Sequence, residues 1–184
     1  MAEGSTKKLV RLAALSAIAV ILMLLVRFPL LPAAPYLEYT PSDIPLLIAC
    51  FLYGPLYGLS AILVTCLIQG FSVSSASGII GTLMNFMTTS LLCLPAAVIY
   101  RRKKTTKSMV LGLAVGSIIM VSLAMVLNIL LTPLYAPGVT MSAVVGMILP
   151  VLLPFNLLRV VINSTLTFAL MKAVGPILSK DIGD

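Results

Sequence analysis

The sequence predicts an all-α integral membrane protein with six transmembrane helices, and three observations predict it. Hydrophobic residues make up 60% of the 184-residue chain and charged residues only 9%, against roughly 25% charged in soluble domains. The few charges avoid long stretches: between Phe28 and Tyr100 only Glu38 and Asp43 are charged, and between Ser108 and Met171 only Arg159 is. Ten of the twelve basic residues fall in three groups that flank apolar runs, namely Lys7, Lys8 and Arg11, then Arg101, Arg102, Lys103, Lys104 and Lys107, then Lys172 and Lys180. Uncharged runs of this length suit hydrocarbon rather than water, and basic groups at their ends follow the positive-inside pattern. The net charge of +7 therefore points to lipid head groups and not to nucleic acid.

The first apolar run covers residues 9–28 and stops at Pro29 and Pro32. It continues too long after Arg11, and lacks a small-residue cleavage site before a polar chain, so a spanning helix is expected rather than a removed signal peptide. The second run, residues 44–71, is interrupted by Gly54-Pro55. As one span it would place the Arg101 cluster opposite Lys7. Split at the glycine and proline, it gives two helices, six spans in all, and both termini inside. The first of the two is then only about 11 residues, too short to cross ~30 Å at 1.5 Å per residue. Protein must back it, with an ordered external loop above. Further runs cover residues 78–100, 109–131 (closed by Pro133) and 144–174, the last with Pro150 and Pro154 early in it.

The loop at residues 29–42, PLLPAAPYLEYTPS, is stiffened by four prolines and carries Tyr36, Glu38, Tyr39 and Thr40. It reads as a cover over a site, or else as an interfacial aromatic belt. Ser42-Asp43 with Pro45 reads as a helix start, Ser or Asp capping free N–H groups.

Polar side chains inside spans are costly and usually functional. Here they are Asn85 in the fourth span, Asn128 in the fifth, and Asn156, Arg159 and Asn163 in the sixth. Offsets of three and seven put the last three on one helical face. Arg159 lies deep, and only Glu38 and Asp43 are candidates to balance it. The cluster is either a structural polar network or a cavity where Asn128, Asn156 and Arg159 read a planar heterocycle with carbonyl and N–H groups. Whether Asn85 and Asn163 face a ligand or neighbouring helices is open at this level. Small-residue pairs, Ala13 with Ala17 and Gly112 with Gly116, mark faces for close helix approach.

Several classes are disfavoured. No histidine occurs, and Cys50, Cys66 and Cys93 stand singly in apolar runs, so no metal site is expected and an intramembrane enzyme lacks its ligands and bases. No GxxxxGK[ST] motif occurs, so nucleotide hydrolysis would belong to another chain. A channel or scaffold would bind no stoichiometric ligand.

The stretch FPLLPAAPYLEYTPSDIPLLIACFLYGPLYG, MNFM around Asn85, YRRKKT from Tyr100 and PFNLLR from Pro154 together resemble the S components of energy-coupling factor (ECF) vitamin transporters, and among them the riboflavin-specific ones. The likeness covers nearly the whole chain. It implies a single substrate-binding domain over residues 1–184 with six helices and riboflavin as transported ligand, not cofactor. It implies a site from Leu37, Glu38, Tyr39, Thr40, Asn85, Asn128, Asn156 and Arg159, under the first external loop. At Arg159 the family pattern leads one to expect lysine. It further implies docking through Ala13 and Ala17 to a T component that works with two cytoplasmic ATPase subunits. The bacterial cell membrane is the implied location.

Overall fold

The computed structural model describes residues 2–32, 34, 37–72, 78–136 and 138–180, with only the backbone for 2–5 and 176–180. Tyr36 lies outside the described residues. The helices are α1 (Ala2–Leu25), α2 (Asp43–Tyr53), α3 (Pro55–Ser72), α4 (Gly78–Lys103), α5 (Thr106–Tyr135), α6 (Met141–Met147) and α7 (Leu153–Lys180). A π-helical turn, Ile148–Leu152, joins α6 to α7. These last pieces form one rod, so six rods build the bundle. Five of them are long and apolar enough to cross a membrane.

The sixth is α2, and its 11 residues explain its place. Nine are buried, Leu47, Ala49 and Cys50 completely. It packs against α1, α3, α4 and α7, so protein rather than lipid surrounds it, as the short length requires. Gly54 ends it at φ 99°, a conformation that favours glycine, and Pro55 opens α3. Any Cβ at Gly58 would lie 2.0 Å from Cys50 Sγ, so glycine there lets α3 lie directly on α2.

At the other end of the chain's central hairpin, α4 closes with Arg101, Arg102 and Lys103, cations that complement a helix C-terminus. Thr105 then caps α5 reciprocally with Ser108. The Gly112/Gly116 face meets α4: added Cβ atoms would lie 2.6 Å from the Ala96 carbonyl oxygen and 2.4 Å from that of Leu92.

Two sequence expectations are corrected here. Proline does not close the fifth span: α5 runs through Pro133 to Tyr135. Pro133 removes one ladder donor close to the helix end, and the Ala136 N–H still closes the last turn on the Thr132 carbonyl at 3.0 Å. The last rod begins at Met141, with Thr140 capping it through the Ala143 N–H at 3.3 Å. Pro150 lies within the π turn and Pro154 just after it, where the Leu153 N–H bonds back five residues to Ile148. Two prolines remove two ladder donors, and the wider turn is how the rod stays continuous.

The covering loop has a pinned base. Phe28 pairs with Tyr39 and Pro29 with Glu38 in a two-stranded antiparallel ribbon, β1 (Phe28–Pro29) and β2 (Glu38–Tyr39). The Phe28 and Tyr39 rings meet edge-on at 5.5 Å, and Arg27 pairs with Glu38 across the same base.

Candidate ligand-binding site

Beneath that loop lies a cavity of about 240 Å³. Leu37 and Glu38 come from the loop, Gln69 from α3, Met84, Asn85 and Thr88 from α4, Asn128 and Tyr135 from α5, and Leu152, Phe155, Asn156 and Arg159 from the π turn and α7. A smaller pocket of about 90 Å³ adjoins it, lined by Tyr39, Thr40, Met23 and Arg27 together with four shared residues, Glu38, Gln69, Asn85 and Arg159. All eight residues singled out from the sequence thus border one of two neighbouring spaces.

Arg159 organises the polar wall. Its Nε and Nη2 donate to Asp43 Oδ2 at 2.9 and 2.8 Å. Nη2 also approaches Asn85 Oδ1 at 3.3 Å and Thr89 Oγ1 at 3.4 Å. Asp43 is 1% exposed and accepts further bonds from Thr89 Oγ1 and Asn163 Nδ2, each at 2.9 Å. Asn163 in turn accepts from the Tyr39 hydroxyl at 2.7 Å. One hydrogen-bonded chain therefore runs from the cavity, through the half-buried Arg159 and the buried Asp43, to the covering loop. Burial, with the Asp43 carboxylate second, pushes the Tyr39 hydroxyl up to about 12 against the pull of Arg159, so near neutrality it is a donor.

Asp43 is here a correction. It opens α2, as its sequence position suggests, but neither it nor Ser42 caps the helix: Ser42 makes no side-chain cap bond and pairs instead with the Thr40 hydroxyl at 3.1 Å. A half-buried guanidinium attracts the carboxylate more strongly than backbone N–H groups do. Asn163 is fully buried, and its two bonds go to the loop and to α2.

Asn128 and Asn156 each spend one N–H on their own helix, donating to the carbonyls of Ala124 and Leu152, both at 2.8 Å. Each keeps a second N–H, and Asn156 keeps its carbonyl oxygen unbonded among the described residues. Asn85 donates to Gln69. Sequence reasoning passed over Gln69, although an amide in an apolar run is the same signal as an asparagine. Tyr135 was hidden beyond Pro133, and Phe155 and Met84 look like ordinary core.

Ala13 and Ala17 lie elsewhere. Both are exposed on the outer side of α1, beside exposed Val10, Ile18 and Ile21, while Leu12, Ser16 and Ala19 face the bundle. Gly112 and Gly116, by contrast, are consumed by α4.

An apolar bundle holding a polar cavity under a pinned loop defines a multi-pass membrane protein built around a small-molecule site. The family model for the ECF transporter substrate-specific component matches residues 7–171, and the chain belongs to that family. Over 151 residues it is 33% identical to the Riboflavin transporter FmnP of Bacillus subtilis, 78% of each chain being covered. It is 30% identical to the Riboflavin transporter RibU of Staphylococcus aureus over 159 residues, 84% of this chain and 83% of that one. A solved S component of a bacterial ECF transporter superposes with a TM-score of 0.77 at 32% identity, covering 95% of this chain and 98% of the other. The chain is thus a substrate-specific transporter subunit rather than an enzyme.

Proposed function

We propose that this chain, acting as one transmembrane substrate-binding domain, captures riboflavin and delivers it to an energy-coupling module. The observation that carries this is the convergence of the eight residues on the loop-covered cavity, in a chain whose relatives are riboflavin transporters. Asn128, Asn156 and Arg159 meet the pyrimidine edge of the flavin, whose carbonyls accept and whose N–H donates. Phe155, Met84 and Leu152 supply apolar wall for the fused rings. Leu37, Glu38, Tyr39, Thr40 and Asn85 surround the polyol chain on the loop side. The basic groups lie at the cytoplasmic face with both termini, and the loop faces outward, in keeping with the positive-inside pattern.

Transport needs partners. An exposed small-residue face on α1 at Ala13 and Ala17 suits close approach of another membrane helix, and we assign it to a T component that works with two ATPase subunits. The test uses two sets of variants and measures binding and uptake separately. Asn156→Ala and Arg159→Ala should each weaken riboflavin binding at least tenfold. Ala13→Phe or Ala17→Phe should abolish uptake and leave binding unchanged. Unchanged binding in the first set would refute the site; lost binding in the second would refute docking.

A further inference from the structure

The charges around the cavities come in two pairs. Among the described residues the charged side chains lining either space are Arg27, Glu38 and Arg159. Arg159 is balanced by Asp43, which stands behind it and out of both linings, and Arg27 is balanced by Glu38. The inner pair is the drier one, with side chains 16% and 1% exposed, against 37% and 40% for the outer pair. A cavity with one cationic wall would attract anions; cancelled at once by a buried carboxylate, it does not.

We propose that Asp43 is a positioning and specificity-determining residue. It holds the Arg159 guanidinium in place for an uncharged acceptor and makes the site electroneutral, so that an uncharged flavin is taken in preference to its phosphate. This rests on the flavin reading above. The geometry gives the two halves of the effect. Two Arg159 donors are turned onto a single Asp43 oxygen, and the second oxygen is held by Thr89. Asp43 therefore fixes the plane of the guanidinium and leaves Nη1, which makes no hydrogen bond among the described residues. That nitrogen can meet a neutral carbonyl, while the net charge presented to a ligand is near zero. A phosphate then loses its water without meeting a counter-charge.

The experiment is flavin binding by fluorescence quenching in detergent, with riboflavin and riboflavin 5′-phosphate as the two probes. Asp43→Asn keeps the shape and an acceptor oxygen but removes the charge. An uncancelled Arg159 acting on a phosphate of about −1.5 to −2 charge about 12 Å away, at an effective dielectric constant of ~20, changes relative affinity roughly 30- to 100-fold. The ratio of phosphate to riboflavin affinity should rise by that factor in Asp43→Asn. It should return to the wild-type ratio in Asp43→Asn/Arg159→Gln, with both flavins bound more weakly.

Glu38→Gln tests the same cancellation at the exposed pair, and does so even if Asp43→Asn does not fold. Its shift should have the same sign, be smaller, and vanish at high salt. Parallel changes for the two probes, leaving the ratios within twofold of wild type, would overturn the proposal and leave riboflavin binding standing. Wild-type protein that binds neither probe would overturn the flavin reading, and this proposal with it.

Discussion

Replacing Asp43 with alanine should destabilise the bundle by about 3–5 kcal/mol, the range for stranding one partner of a buried ion pair. Asp43 accepts four hydrogen bonds, from Arg159 Nε and Nη2, Thr89 and Asn163, all between 2.8 and 2.9 Å. Counted singly at roughly 1.5–3 kcal/mol for bonds to a charged group, they would exceed that range. They act as one network, however, and part of the cost is leaving Arg159 uncompensated. The informative comparison is the double variant Asp43→Leu/Arg159→Met. With both charges gone no charge is stranded, so part of the lost stability should return, less the cost of the buried Thr89 and Asn163 donors that lose their acceptor. Reversible unfolding in mixed detergent micelles gives the three free energies. Asp43→Ala within about 1 kcal/mol of wild type would refute the reasoning, since it would leave a half-buried guanidinium and two buried donors, Thr89 and Asn163, without their shared acceptor. A double variant no better than the single would refute it too.

Other expectations concern packing and the loop. Gly116→Leu should separate α4 from α5, because even a Cβ would lie 2.4 Å from the Leu92 carbonyl oxygen; a loss of about 1–3 kcal/mol or more in the same unfolding assay is expected from overpacking. Tyr39→Phe should loosen the covering loop and speed riboflavin release several-fold, as measured by stopped-flow fluorescence. The Tyr39 hydroxyl is raised from 10.0 to about 12, so its contribution to stability is fully present below pH 10 and is lost as pH rises through 12. The stability difference between wild type and Tyr39→Phe should therefore be flat to pH 10 and shrink above it.

Much of the architecture was legible because hydrocarbon permits so few solutions. The break at Gly54-Pro55 and the short buried α2 followed from length, charge and the helix-stopping Gly-Pro pair. Arg159 was legible for the same reason: a lone guanidinium in apolar sequence demands a carboxylate, and only two candidates existed. The choice between them was not, since sequence-local rules assign Asp43 to its own helix N-terminus, whereas tertiary pairing over 116 residues prevails. Asn163, seven residues after Asn156 on the same face, was left open between ligand and neighbouring helices, and it bonds to Asp43 and Tyr39. The π turn changes the register of the rod upstream of α7, and that register decides which of Leu152, Phe155 and Asn156 reach the cavity. No residue pattern in the run announces it. Tyr135 was lost because Pro133 was read as a stop, whereas α5 runs past it and closes on the Thr132 carbonyl.

The most direct measurement is titration of the purified wild-type protein with riboflavin in detergent. A yellow complex of one flavin per chain, with quenched fluorescence and weakened by Asn156→Ala, is the predicted result. A folded protein that stays colourless, and leaves riboflavin fluorescence unchanged at every ratio, would contradict it.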